Sequence, residues 1–332
     1  MKKRNKVLAL IMAAAMTSAV AGCTDGSKGS TEAGSGKLNI GIIQYMEHSA
    51  LDAAREGFIK ALKDNGFTEG EKVTFDLQNA QGDQSNLSTI SDRFVSNKVD
   101  LVLAIATPAA QSIAGKTTEI PILATAVTDF EAAKLVTSNT APGGNVSGTT
   151  DMNPIKEQMD LLVKLVPGVK KVGVMYTSSE DNSILQAKLA KEAIEKLGLT
   201  YVEATVTNSN DVQQVTQSIV TKCDAIYIPT DNTFASAMPV VSSVTSKAKI
   251  PVICGESGMV TTGGLATLGI NYSDLGYQTG LMAVKILKGE AKPADMPIEA
   301  SKNFDFAING TVAEEIGLKV PADLEQYVIK GK

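Results

Sequence analysis

The chain has 332 residues, of which 43% are hydrophobic and 20% are charged, and its formal net charge at pH 7 is −5. This acidic balance, with no long basic run, argues against nucleic-acid binding. One histidine and three cysteines supply too few ligands for an ordinary metal site, so we expect no metal and no cofactor.

The first 22 residues have the composition of a secretory signal peptide. Lysine and arginine residues between positions 2 and 6 precede an apolar stretch, 7–20. A stretch of about 14 residues is too short to cross a bilayer, which takes roughly 20. Val20-Ala21-Gly22-Cys23 follows and resembles a bacterial lipobox, in which the cysteine thiol is acylated and the chain is cut just before it. We expect a lipid anchor of the palmitate type on Cys23; ordinary signal cleavage beside an incidental cysteine is the alternative.

Short apolar runs alternate with amphipathic ones throughout the rest of the chain. A polar tether, 23–36, comes first. The first half then predicts strands over 38–43, 73–77, 101–106, 120–126 and 145–148, and helices over 49–65, 85–97, 109–116 and 154–166. The second half predicts strands over 169–176, 200–205, 225–229, 250–254, 265–270 and 304–308, and helices over 182–197, 211–221, 233–247 and 274–288. Such alternation indicates βαβ units and parallel sheets.

Two similar halves predict an α/β fold of two doubly wound parallel-sheet lobes, joined by a three-crossover hinge with the solute between the lobes. We expect lobe 1 to comprise 37–149 and 271–300, and lobe 2 to comprise 150–270 and 301–332, after a signal peptide, 1–22, and the tether. A two-domain α/β enzyme fits the same halves, but an exported, tethered chain favours a binding protein. Cys223 and Cys254 lie in apolar runs and are expected to be core thiols rather than a disulfide.

Candidate site residues come from the rule that open α/β sheets bind ligands beyond the carboxyl ends of their strands. In or beside the turns at those ends lie Gln44, Tyr45, Glu47, Thr107, Ala109, Thr128, Asp129, Tyr176, Ser178, Asn182, Ser183, Asp231 and Gly255. The turns contain no Lys or Arg, which a phosphate or dicarboxylate would usually require. Helix N-capping explains any single Ser, Thr, Asp or Asn equally well, and Tyr176 is also explained as core.

The same turns suit a zwitterionic amino acid. Asp231, Glu47 or Asp129 could bind an ammonium group. Thr107 opens a helix with Pro108 at its first position, so its hydroxyl and the following amides could hold a carboxylate. Possible aromatic walls are Tyr45, Phe130, Tyr176 and Phe234.

A catalytic function is disfavoured, and we predict that the chain is not an enzyme. His48 is the sole histidine, and no Gly-x-Ser-x-Gly elbow is present. A pair of carboxylates could run glycoside hydrolysis, yet ammonium binding explains Glu47 and Asp231 equally well.

Several motifs, in order, resemble the tryptophan/tyrosine-type ABC transporter substrate-binding proteins. They are Ile40–His48 with Leu51–Phe58, Ala106–Gln111, Ala126–Asp129, Asn145–Gly148, Ser179–Ser183, Pro229–Asn232 and Leu275–Gly280. The resemblance spans the folded body and implies a fold like that of type I periplasmic-binding proteins, an ABC permease as partner, and an aromatic amino acid as ligand.

Particular roles also follow from this resemblance. It implies that Thr107 and Thr128 hold the ligand carboxylate and that Asp231 holds the ammonium. Further motif positions around the cleft are Glu47, Asp129, Asn182 and Ser183. Proline follows the positions of His48 and Asp129 in the family's pattern, whereas this chain has Ser49 and Phe130, so Phe130 could line the side-chain pocket.

The sequence therefore predicts a monomeric, extracytoplasmic lipoprotein, anchored to the cell membrane, that captures a small zwitterion by clamp closure. The same fold binding a sugar or nucleobase-like solute, or acting as a sensor, is the alternative. A carboxylate-based hydrolase is a more distant one.

Overall fold

The computed structural model describes residues 36–301 and 303–330. The predicted signal peptide, Cys23 and the tether up to residue 35 lie outside the described residues. Lys37–Lys332 forms one compact unit. None of the described helices is long and apolar enough to cross a membrane.

The strands alternate with helices much as the apolar periodicity predicts. The strands are β1 Leu38–Gln44, β2 Val73–Asn79, β3 Leu101–Ile105, β4 Ile122–Val127, β5 Val146–Thr150, β6 Lys171–Thr177, β7 Thr200–Val206, β8 Ala225–Ile228, β9 Val252–Cys254, β10 Ala266–Ile270, β11 Glu299–Ala300, β12 Phe304–Asn309 and β13 Val328–Ile329. The helices are α1 Ser49–Asp64, α2 Gln84–Asn97, α3 Thr107–Ala114, α4 Ile155–Leu165, α5 Asp181–Lys196, α6 Val212–Ile219, α7 Asn232–Ser236, α8 Met238–Ala248, α9 Ser257–Thr261, α10 Tyr272–Leu287 and α11 Gly310–Ile316.

The strands form two separate sheets. The first has the order β11-β5-β4-β3-β1-β2, and the second has the order β13-β12-β10-β9-β8-β6-β7. Both contain the doubly wound pattern in which the first strand lies between the second and the third, so each has a switch point beside its first strand. The pairs are parallel except that β12 runs antiparallel to β10.

The chain passes between the sheets three times, as predicted. It leaves the first sheet after β5. It returns after β10, as α10 packs extensively against α1 and β11 pairs with β5. It leaves again between β11 and β12. These passages are the crossovers of the two-lobed α/β fold.

Each sheet carries its own apolar core. One buried cluster surrounds the first sheet, and two others lie on opposite faces of the second. Alternate residues of one strand divide between those two faces: Val174 belongs to one cluster and Met175 to the other. Cys223 and Cys254 are buried and free, as expected of core thiols.

One predicted helix, 233–247, is in fact two. Ala237 separates α7 from α8, with a backbone that is not helical (φ −102°, ψ 8°). Pro239 lies in the first turn of α8, where its missing N–H costs nothing, whereas in a continuous helix it would remove a hydrogen bond. The periodicity also missed the short helices α9 and α11.

The contact between α1 and α10 depends on small residues. A Cβ on Gly276 would lie 1.9 Å from the carbonyl oxygen of Ala54, and one on Gly57 would lie 2.1 Å from that of Ser273. These glycines let the two helix backbones approach closely, which fixes the second crossover on the first lobe.

We expect Gly276→Ala to lower the free energy of unfolding by about 1–3 kcal/mol, because the added methyl group overpacks a backbone contact. Urea unfolding followed by circular dichroism measures the loss. Gly144→Ala is the matched control, since nothing lies within 4 Å of its Cβ. Equal stability of the two variants would contradict the close packing.

Candidate functional site

A small cavity lies where the carboxyl ends of the two sheets face each other. It is lined from both lobes by His48, Leu51, Ala126, Asp151, Asn182, Thr230, Asp231, Asn232, Ala235, Glu256, Met259 and Tyr272. Its volume is about 10 Å³, on the order of what one water molecule needs. The lobes are therefore in contact, and an amino acid could enter only if they separate.

Asp231 and Glu180 form a buried pair of carboxylates in the second lobe. Asp231 accepts hydrogen bonds from the Thr177 amide (2.6 Å) and hydroxyl (2.8 Å), and it caps α7 through the Phe234 amide (2.9 Å). Glu180 accepts from the Asn232 side-chain amide at 2.6 Å and from the Thr233 hydroxyl at 2.9 Å. Both carboxylates thus have structural partners of their own.

Two further carboxylates line the same cavity. Glu256 caps α9, accepting from the Met259 amide at 2.8 Å. Asp151 follows β5 directly and accepts from the Tyr272 hydroxyl at 2.6 Å. Neither Lys nor Arg occurs among the described residues that line this cavity.

The surroundings of these carboxylates favour their neutral forms. Burial, and next the charge of Asp231, raise the pKa of Glu180 to about 7. Burial raises the pKa of Glu256 to about 7 as well, and it raises the pKa of Asp151 and of Asp231. The cavity is consequently a place where a cation would be stabilised and an anion would not.

His48 completes the polar lining from the first lobe. Its Nε2 lies 3.2 Å from Oδ1 of Asn232 in the second lobe. Burial lowers its pKa to about 4, so the ring is neutral near pH 7. A neutral imidazole adds no positive charge to compensate the carboxylates.

Three buried polar atoms around this interface have no hydrogen-bond partner among the described residues: His48 Nδ1, Thr107 Oγ1 and Asn182 Oδ1. Thr107 and Asn182 also line a second small cavity between the lobes, together with Asp129. Buried polar atoms without partners are rare in proteins, and they indicate hydrogen bonds that a bound water, ion or ligand makes.

Two residues with strained backbones lie at the same place. Ala106, which precedes α3, has φ +81°, and Ala126, which lines the cavity, has φ +56°. Non-glycine residues in this region are costly and tend to occur at binding sites.

The structure brings together part of the predicted set. Asp231 and Asn182 line the first cavity, and Thr107 and Asp129 line the second. Ser183 and Thr128 are buried nearby. Tyr45 is 5% exposed, and its pKa is raised by burial and then by the charges of Glu180 and Asp231.

Other predicted residues have different surroundings. Glu47 is exposed; Ser178 is exposed, and its hydroxyl donates to the Val206 carbonyl. The Tyr176 hydroxyl donates to Glu203 at 2.7 Å. Ala109 is wholly buried in the core of the first lobe.

Gln44 and Gly255 have packing roles. Gln44 is wholly buried, and its Oε1 accepts from Arg55 at 2.7 Å, so α1 brings a cation near this edge that the turns themselves lack. A Cβ on Gly255 would lie 2.3 Å from the Thr230 nitrogen, which explains the glycine by close packing. Phe130 and Phe234 are wholly buried in separate lobe cores and do not line the cavity.

The predicted set of site residues left out Asp151, Glu180 and Glu256, although Glu256 lies in one of the strand-end turns and Glu180 in one of the matching motifs, and it left out Gln186, a buried neighbour of the site. The first three lie just after β5, β6 and β9, so the strand-end rule could have selected them. Nothing in the sequence distinguished them from other polar residues in the same turns, because only burial does so. Gln186 lies one turn into α5, where no strand-end rule applies.

Comparison with known proteins is consistent with this geometry. The family model for ABC transporter substrate binding proteins matches residues 39–331. A tyrosine-binding protein from Clostridioides difficile (strain R20291) is 41% identical over 336 residues, which is 99% of this chain and 97% of that protein.

Two solved structures differ in ligand state. The crystal structure of an ABC domain in complex with L-Trp, from Streptococcus pneumoniae, is 39% identical, covers 89% of this chain and 100% of its own, and has a TM-score of 0.85. The ligand-free, open structure of a substrate binding protein from Clostridium difficile is 47% identical with the same coverage, but its TM-score is 0.69. The present fold is thus nearer to the tryptophan complex than to the open structure.

The family match covers almost all of the described residues, and the architecture is that of the type I periplasmic-binding proteins. The chain therefore belongs to the ABC transporter substrate-binding protein family.

Proposed function

We propose that the chain captures an aromatic amino acid between its two lobes and delivers it to an ABC permease. The observation that carries the proposal is the interlobe cavity lined by buried carboxylates without Lys or Arg. A tyrosine-binding relative and a tryptophan complex at about 40% identity support the ligand class.

The ammonium group of the ligand binds beside Asp231 and Glu180, and its carboxylate binds at the start of α3. A cation there replaces protons on the carboxylates and removes the cost of burying their charge. The unpartnered Thr107 hydroxyl and the first amides of α3 suit an anion. Leu51, Ala126 and Met259 provide apolar contacts for the side chain.

Capture proceeds by rotation of the lobes about the crossovers. We assign 37–149 with 271–300 to lobe 1, and 150–270 with 301–332 to lobe 2. The ligand contacts both lobes only when they close, so it stabilises the closed clamp by its differential affinity. Binding requires no covalent step, and we propose that the chain has no catalytic activity.

Substrate-binding proteins of ABC importers are extracytoplasmic, and this chain further carries a lipobox-like sequence. We propose that the mature protein is a monomer that begins at Cys23 and is held on the membrane by acyl chains on that residue. Two acyl chains give stable anchoring where one is marginal.

Calorimetric titration of the chain from Lys37, unfolded and refolded to remove carried-over solute, tests the ligand class against Tyr, Trp, Phe and Leu. We expect one-to-one binding that is tightest for an aromatic acid. Glu180→Gln or Asp231→Asn should weaken it by about 30-fold or more, since each removes a buried charge partner. Glu192→Gln, an exposed carboxylate on α5, is the control and should leave affinity within about twofold. No binding of any of the four acids would refute the ligand class.

Affinity should also depend on pH. The raised pKa of Glu180, about 7, means that the empty site holds a proton below pH 7. An incoming ammonium group expels that proton, so affinity falls as pH drops below 7, by up to about tenfold per pH unit. Titrations near about pH 5.5 and about pH 8, in buffers of different ionisation enthalpy, count the protons released.

Glu180→Gln should reduce this pH dependence without abolishing it, because Glu256 keeps a pKa of about 7. The same pKa shift predicts that the ligand-free protein loses stability as pH rises from 4.5 to about 7, because the folded state retains a proton that the unfolded state releases. Identical pH profiles of wild type and variant would contradict a titrating Glu180.

Cys23→Ser should release the protein from the membrane, because the acylated thiol is then absent. Metabolic labelling with a fatty acid, followed by fractionation, measures both the label and the location. Cys223→Ser, which alters a buried thiol, is the control and should remain labelled. Label retained by the Cys23→Ser variant would exclude the anchor.

A further inference from the structure

A buried glutamine connects the two lobes directly. Gln186 lies on α5 and is wholly buried. Its Nε2 donates to the Thr128 hydroxyl, 3.0 Å away in the first lobe. Within its own lobe the same amide group contacts the Thr230 hydroxyl, and its Oε1 accepts from the Thr230 amide at 3.4 Å. Thr230 thus holds the glutamine in position to reach across the cleft.

The contact continues into the hinge. The Thr128 hydroxyl donates to Oδ1 of Asp151 at 3.1 Å, and the Tyr272 hydroxyl donates to Oδ2 at 2.6 Å. Asp151 follows β5 at the first crossover, and Tyr272 begins α10 at the second. Gln186, Thr128, Asp151 and Tyr272 therefore form one hydrogen-bonded chain, which we call the hinge relay.

Only one bond of the hinge relay spans the cleft, because Asp151, at the very start of the stretch assigned to lobe 2, still donates its amide to the Val127 carbonyl of the first sheet. Thr128, Asp151 and Tyr272 lie on the first lobe or on the crossovers, so their bonds can persist when the clamp opens. The bond from Gln186 to Thr128 cannot persist, because the two residues move apart. Since Thr128 donates to a buried carboxyl group, its oxygen is a better acceptor for Gln186, and the bonds of the chain reinforce one another.

We propose that Gln186 is a positioning residue that latches the clamp: its bond to Thr128 sets the population and lifetime of the closed state without contact to the solute. Gln186 does not line either interlobe cavity. The proposal rests on the proposed function in that closure retains a solute, yet the latch acts on the lobes themselves. It should therefore affect every ligand equally.

Gln186→Met tests the latch, since it keeps the length of the side chain and removes the donor. Expected results for the chain from Lys37 are a larger radius of gyration in solution scattering without ligand, and dissociation about five- to thirtyfold faster for Tyr, Trp and Phe alike. The matched control is Gln111→Met. Gln111 also crosses the cleft, donating to Asp181 at 2.8 Å, but this bond is exposed and water replaces it.

The outcomes separate the alternatives. Unchanged scattering and unchanged dissociation in Gln186→Met would overturn the latch. So would a change in the selectivity among the three acids, because it would reveal a direct ligand contact. If wild type binds none of them, the proposed function fails, while the ligand-free scattering still tests the latch.

A second pair of variants guards against misfolding of Gln186→Met. Thr128→Val removes the hydroxyl that accepts from Gln186, and Thr128→Ser retains it. The latch predicts that the ligand-free radius of gyration rises in Thr128→Val only. Equal radii for the two variants would overturn the proposal.

Discussion

All strands of a parallel sheet end at the same edge, and in this chain two such edges face each other. The loops at those edges carry polar groups that turn the chain and cap the helices. When the lobes meet, these groups are removed from water together. The cavity, its carboxylates and the interlobe bonds all follow from this one arrangement.

Burial of three carboxyl groups around a space for one water molecule, with Glu180 buried beside Asp231, conflicts with the preference of charges for water. Two features of the protein lower the free-energy cost of this burial. Helix N-termini and hydroxyls donate to each carboxyl group, and the raised pKa values of Glu180 and Glu256 keep these two groups largely protonated below pH 7. A ligand cation would lower this cost further, because it would replace the protons on the carboxyl groups. The proposed ligand-binding site is thus the place where the fold departs from the usual rule that charged groups stay in water.

Periodicity alone could predict the two halves, because buried parallel strands and amphipathic helices differ in length and pattern. Periodicity failed to predict the break between α7 and α8, because the apolar pattern is continuous there and only Pro239 signals the break. The strand-end rule selected Asp231, Asn182 and Thr107, and the structure places all three on the small interlobe cavities. It could not tell that Glu47 and Ser178 face solvent, since burial depends on how the lobes meet. The sequence could not predict the roles of Gln186 and Tyr272, because their hydrogen-bond partners lie 58 and 121 residues away along the chain.

The glycine contacts between α1 and α10 show a similar limit. Gly57 and Gly276 are separated by most of the chain, and each permits the close approach of the other helix. A sequence shows two glycines in helices, where they are unfavourable, without showing why. Their cost in helix propensity is offset by the backbone contact that holds α10 on the first lobe.

A crystal structure of the chain from Lys37 with bound tyrosine would test the central claim most directly. The account predicts a closed clamp with the ligand nitrogen within hydrogen-bond distance of Asp231 or Glu180 and its carboxylate at the first amides of α3. A ligand bound in the reverse orientation, or outside the interlobe cleft, would contradict it.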